Sequence, residues 1–215
     1  MHRYDPARQR LALGLAGLAG LVDATGFVVA GGYFTSFMSG NTTRMGVELV
    51  ERPVLALAPL GLIGCFLAGV VAGALIGRRA AAQRKLVLLG AVAGLLAAAT
   101  GLLAVGLAVP FLALSALAMG LANNVFTKAG EVTVGVTYMT GALVRFGQGV
   151  AARLAGQPLD STRGYGWLWC ALAAGAAAGG ALSWRSPLWA AGTAAGLALI
   201  LWVLARRINS APEPL

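Results

Sequence analysis

Long apolar runs separated by short basic gaps constrain this chain more than any other feature. Leu11 to about Phe34, Val54 to Gly77, Leu86 to about Val109, a run starting near Phe111, Tyr165 to Leu182 and Leu188 to Ala205 each approach or exceed the ~20 helical residues that cross a hydrocarbon core. In lipid each backbone N–H and C=O must be satisfied within the segment, so such runs fold as helices. With 59% hydrophobic residues, 11% charged residues and a mean hydropathy of +0.81, the chain falls outside the range of soluble domains. The expected class is an all-α polytopic membrane protein with six transmembrane helices in one membrane domain, residues 1–215.

The second constraint is an internal echo. Phe37-Met38-Ser39-Gly40 followed by Arg44 and Gly46 matches Tyr138-Met139-Thr140-Gly141 followed by Arg145 and Gly147 without a gap, 101 positions later. Gly73 and Gly77 find counterparts in Gly175 and Gly179, and Gly90 and Gly94 in Gly192 and Gly196, each 102 positions on. The expectation is a duplication, with repeat one over 1–109 and repeat two over 110–208. Three crossings per unit force the second unit to enter from the opposite side, giving two inverted three-helix repeats. The first helix of each repeat is expected to break near its Ser/Thr-Gly motif, with Ser39 and Thr140 as helix N-caps and Gly40 and Gly141 permitting the break. Residues 209–215 read as a disordered tail.

The charges set orientation rather than nucleic-acid binding. The net charge of +9 is confined to the gaps, and no cluster interleaves aromatic with basic side chains. With the N-terminus cytoplasmic, the inside receives Arg3, Arg8, Arg10, Arg78, Arg79, Arg84, Lys85, Arg153, Arg163, Arg206 and Arg207. The outside receives Arg44, Arg52 and Arg185, with Arg145 and Lys128, expected at membrane depth, counted on neither side. Both termini are therefore expected in the cytoplasm. The basic start followed by an apolar run also has the form of a signal peptide, but the run continues too far for one.

Cys65 and Cys170 each sit inside an apolar run, where a thiol behaves as a small hydrophobe, and His2 is the single histidine. No zinc, phosphate-loop, hydrolase or dinucleotide signature occurs in a credible context. These features give no catalytic residues, metal site or cofactor, and the expectation is a non-enzyme.

Polar side chains inside the apolar runs are the candidate functional residues. Asp23 falls about halfway along the first run, where a charge costs ~2.5–3.5 kcal/mol on insertion scales. It serves either as a hydrogen-bonding link to a neighbouring helix or as a solute or proton site. The motif register sets Asn124, beside Asn123, opposite it in the repeat. Lys128 and Glu131, three residues apart, either neutralise each other near the end of the fourth span, or Lys128 pairs with Asp23 across the bundle, or Glu131 is left as a titratable gate. Arg44 and Arg145 either snorkel to headgroups or gate. Ser39, Gly40, Asn41, Thr42, Thr140 and Gly141 complete the candidate solute-binding set. The second motif lacks the polar centre of the first, so Asn41, Thr42 and Thr43 are the better candidates for solute contact.

Asp23 to Gly46, with its Asp-Ala-x-Gly-Phe start, Gly31-Gly32 and Met-Ser-Gly-Asn-Thr, together with Asn123-Asn124 and Thr137-Tyr138-Met139-Thr140-Gly141, resembles the YoaK-like family of bacterial inner-membrane proteins. That family is a domain of unknown function, number 1275. The resemblance covers nearly the whole chain and implies a six-span inner-membrane protein with no assigned activity. Its second repeat usually reads Gln-Asn where this chain has Asn123-Asn124.

The sequence reading that follows is a small secondary transporter or facilitator, working in the lipid bilayer on a small, anionic solute held between the repeats. The alternative is a non-transporting scaffold whose Gly-rich faces bind other helices, a homodimer included.

Overall fold

The computed structural model describes residues 5–128, 131–132, 135–157 and 164–209. Eight α-helices are described: α1 (Pro6–Val29), α2 (Met38–Glu51), α3 (Leu57–Ala80), α4 (Arg84–Ala104), α5 (Ala108–Ala122), α6 (Met139–Leu154), α7 (Tyr165–Arg185) and α8 (Pro187–Asn209). The tail residues 210–215 and the loop residues 158–163 lie outside the described residues.

Helix α1 starts sharply because Asp5 accepts the Arg8 backbone N–H at 2.8 Å and Pro6 follows with its φ already helical. Four helical stretches are long and apolar enough to cross a membrane: Pro6–Val29, Leu57–Ala104, Tyr165–Arg185 and Pro187–Arg207. The second, at 48 residues, would run ~72 Å if straight, more than twice a ~30 Å hydrocarbon core. A 3₁₀ turn at Ala81–Gln83 divides it into α3 and α4, which pack on each other. Ala81 adopts φ 42° there, a conformation that costs a residue with a Cβ. Helix α5 is a shorter apolar helix of 15 residues. The fourth apolar run stops at Ala122, not at the polar cluster around Glu131. Residues Thr127–Lys128 and Glu131–Val132 form a two-residue antiparallel ladder instead of the helical continuation expected for Lys128 and Glu131.

The helices pair in a pattern whose members match. Helix α1 packs along α7, and α5 along α3. Helix α1 also meets α8, as α5 meets α4. Helix α2 lies on α3 as α6 lies on α7, and α4 joins α8. The first helix of each half therefore lies mainly against the later helices of the other half. Two packing units result, α2–α5 and α1 with α6–α8, rather than the contiguous halves of the sequence. Leu88, Leu89, Val92 and Leu96 of α4 share one core with Leu15, Leu18 and Val22 of α1 and with Ala194, Ala198 and Leu201 of α8.

Glycines allow the closest crossings. A Cβ on Gly175 would lie 1.9 Å from the Gly17 carbonyl oxygen, and one on Gly20 would lie 2.1 Å from that of Leu172. At α3 and α5 a Cβ on Gly69 would lie 2.0 Å from the Leu117 oxygen, and one on Gly120 2.0 Å from the Phe66 oxygen. Gly69 and Gly175 thus occupy equivalent points, as do Gly73 and Gly179. The expected pairing of Gly73 with Gly175 is not the one used by packing. Gly94, Gly192 and Gly196 have no neighbour within 4 Å of a would-be Cβ, so they have no close-packing role within the chain.

Candidate functional site

Asp23 lies in α1 six residues before Val29, ~9 Å from the helix end rather than halfway along. Beyond Val29 the chain reverses through Gly31 (φ 66°) and Gly32 (φ 113°), conformations that glycine takes without strain. It then folds back until Thr35 and Ser36 reach Asp23. Oδ1 accepts the backbone N–H of Thr35 at 2.8 Å, that of Ser36 at 2.6 Å and the Thr35 hydroxyl at 3.1 Å, while Oδ2 accepts the Ser36 hydroxyl at 2.7 Å. Thr35 and Ser36 are buried. Four converging donors match a carboxylate, which only accepts. These donors lie on the reversed segment that follows α1, not on the neighbouring helix that the sequence offered as a hydrogen-bonding partner.

The second half repeats this arrangement with an amide. Asn123 Oδ1 accepts the Thr137 hydroxyl at 3.2 Å, and its Nδ2 donates to the Met119 carbonyl at 3.0 Å. Ser36 and Thr137 precede equivalent aromatic residues, Phe37 and Tyr138. Asn123, not Asn124, is therefore the counterpart of Asp23. Asn124 instead donates to the Val70 carbonyl of α3 at 3.1 Å and lies over Gly73, tying α5 to α3. No hydrogen bond joins the Asp23 cluster to the Asn123 cluster among the described residues.

The breaks precede the motifs. Helix α2 starts at Met38 with Phe37 as its N-cap, and α6 at Met139 with Tyr138 as its N-cap; neither cap makes a side-chain hydrogen bond. Ser39 and Thr140 consequently sit in the first turns as exposed helical residues, and are not the N-caps expected of them. Gly40 does not supply a turn conformation either. A Cβ there would lie 2.4 Å from the Phe37 ring and 3.0 Å from that of Phe34, so glycine is needed for these rings to rest on α2. Gly141 has no close neighbour.

Asn41 is fully buried, with its Oδ1 accepting the Phe34 N–H at 2.9 Å and its Nδ2 donating to the Phe34 carbonyl at 2.7 Å. Both ends of its amide hold the reversed segment. Thr42 and Thr43 are exposed and donate to the Met38 and Ser39 carbonyls of their own helix. Arg44 stacks on Tyr33 at 4.8 Å and lies 3.7 Å from Glu48, whose Oε1 also accepts the Tyr33 hydroxyl at 2.7 Å. Arg145 bonds the Tyr165 hydroxyl and stacks on that ring at 4.9 Å. The ladder register sets Lys128 opposite Glu131.

Sequence reasoning overlooked Thr35, Ser36, Tyr33, Thr137 and Tyr165. The available signal was a small hydroxyl immediately before each motif, Ser36 and Thr137, following Gly31-Gly32 and Gly135 respectively.

Polytopic apolar architecture with two side-chain-pinned reversals defines the chain as an integral membrane protein. Residues 11–204 match the family described as Protein of unknown function (DUF1275), and the chain belongs to that family. It is also similar to a UPF0700 transmembrane protein of Rhizobium meliloti (strain 1021), with 35% identity over 152 residues. That match covers 66% of this chain and 64% of the relative's length. No solved structure matches the chain.

Proposed function

We propose that the protein is a small secondary transporter or facilitator of a small, anionic solute, built from two inverted repeats of three spans each, in the bacterial inner membrane. The observation that carries this reading is the pair of pinned reversals: Ala30–Phe37 held by Asp23, and the segment before Met139 held by Asn123. Non-helical backbone inside a membrane protein is tolerated where it is buried in protein or lines a cavity, and broken helices in transporter repeats are its recurrent setting. The matched helix packings and matched glycine crossings fit a pseudo-two-fold axis relating the halves.

In this reading the moving bodies are α2–α5 and α1 with α6–α8, the two sets within which the matched pairings fall, and α4 and α8 share the core that joins them. They rock across the α4–α8 contact, and the solute passes between them. Asp23 with Ser36 and Asn123 with Thr137 are latches for access from opposite sides. The α2 and α6 N-termini, which begin beside these latches, supply positive dipole ends suited to an anion. Arg44 and Arg145 are engaged by Tyr33, Glu48 and Tyr165, so they brace the short helices rather than offering free charge.

Purified protein in proteoliposomes, assayed for uptake and counterflow across a chemically varied solute panel, tests the proposal. Protein-dependent flux of at least one small anion, altered in rate by Asp23→Asn, is expected. Absence of flux for every solute would overturn it. Specific recovery of one membrane partner alongside that absence would favour the scaffold, which the exposed apolar residues Val47, Leu49 and Val50 of α2 also suit.

A further inference from the structure

We propose that the groove between α6 and α7 is a binding site for an anionic phospholipid, with an acyl chain along the groove and the phosphate at Arg153. The groove encloses about 670 Å³, within the ~300–1,000 Å³ of ligand-holding clefts. Its walls are Leu143, Phe146 and Val150 of α6 and Trp167, Trp169 and Cys170 of α7, all exposed, and α7 is long and apolar enough to span a membrane while α6 is a shorter helix of 16 residues lying against it. Glycines shape it. Gly149 forms part of its lining, and a Cβ on Gly166 would lie 2.8 Å from the Phe146 ring, so glycine there lets α6 rest against α7.

Two observations select the occupant. The α7 wall belongs to a helix long and apolar enough to span a membrane, where acyl chains would surround it. Among the described residues its charged lining residue is Arg153, in the last turn of α6, and none of the described lining residues is acidic. Trp167 and Trp169 lie in the first turns of α7, at the level where tryptophans sit among headgroups. An apolar channel ending in one guanidinium at headgroup depth complements a chain attached to a phosphate and disfavours a net-neutral headgroup relative to an anionic one. The inference is independent of transport.

The test uses the full chain in bilayers containing brominated phosphatidylglycerol or brominated phosphatidylcholine, with tryptophan quenching as the readout. Trp184→Phe and Trp189→Phe remove two exposed reporters, and adding Trp167→Phe and Trp169→Phe measures the residual signal of Trp202. The expected result is preferential quenching of Trp167 and Trp169 by the anionic lipid by about fivefold, the factor given by roughly 1 kcal/mol per basic side chain at a membrane surface. Arg153→Gln should bring that preference to parity. Gly149→Leu, which fills the groove while keeping Arg153, should reduce quenching by both lipids. Equal quenching by the two headgroups, a preference unchanged by Arg153→Gln, or protection from both lipids through pairing with a second copy would each overturn the proposal.

Discussion

The four donors on Asp23 and the single hydroxyl on Asn123 make the two reversals unequal in strength. Hydrogen bonds to a charged group contribute about 1.5–3 kcal/mol against about 0.5–1.5 for neutral ones. Removing the acceptor also strands the buried N–H groups of Thr35 and Ser36. Asp23→Ala is therefore expected to cost about 3 kcal/mol, and Asn123→Ala about 1 kcal/mol, in thermal unfolding of the detergent-solubilised protein. Equal losses would contradict the difference between a charged and a neutral pin. The role of Asp23 was only half legible in the sequence. Insertion cost identifies a charge that must face protein or water, but it does not name the partner. That partner came from a chain reversal, and Thr35-Ser36 read as the end of an apolar run until Gly31 and Gly32 turned it back.

Among the elements, the glycines separate into those that touch backbone and those that touch nothing. Gly69→Ala and Gly175→Ala each drive a methyl into a carbonyl oxygen of the facing helix and should lower stability by about 1–3 kcal/mol. Gly94→Ala and Gly192→Ala meet open space within helices and should be neutral or stabilise by up to about 1 kcal/mol. Thermal unfolding of the detergent-solubilised protein, followed by circular dichroism, compares all four, and similar losses in both pairs would contradict the observed crossings. A sequence with 31 glycines offers many small-residue pairs. Which of them meet depends on helix rotation and partner choice, neither of which the spacing of glycines fixes. The register shift from Gly73 to Gly69 opposite Gly175 arises at this level.

For the whole molecule, the test of the inverted arrangement is which side of the membrane each turn faces. With Cys65 and Cys170 replaced by serine, Gln83→Cys in the turn between α3 and α4 should react with an impermeant maleimide only from the cytoplasmic side. Ser186→Cys between α7 and α8 should react only from outside. Labelling of both from the same side would exclude opposite entry of the two halves. The basic residues predict this orientation because Arg78, Arg79, Arg84 and Lys85 cluster at the first turn while Arg185 alone flanks the second.

The amino-acid sequence by itself determined the membrane class, the approximate course of the apolar helices and the existence of a repeated motif. These follow from local apolar length and from backbone groups that lipid cannot satisfy. Tertiary structure alone decided that α1 packs with α7 and α8, and α5 with α3 and α4, so that the first helix of each half joins the other half. It also decided that Asn41 pins Phe34 while Thr42 and Thr43 bond their own helix. The physical reason is that lipid gives apolar helices no hydrophobic preference among partners. Selection then falls to close contact at particular glycines and to hydrogen bonds across chain reversals, and both exist only once the helices are assembled.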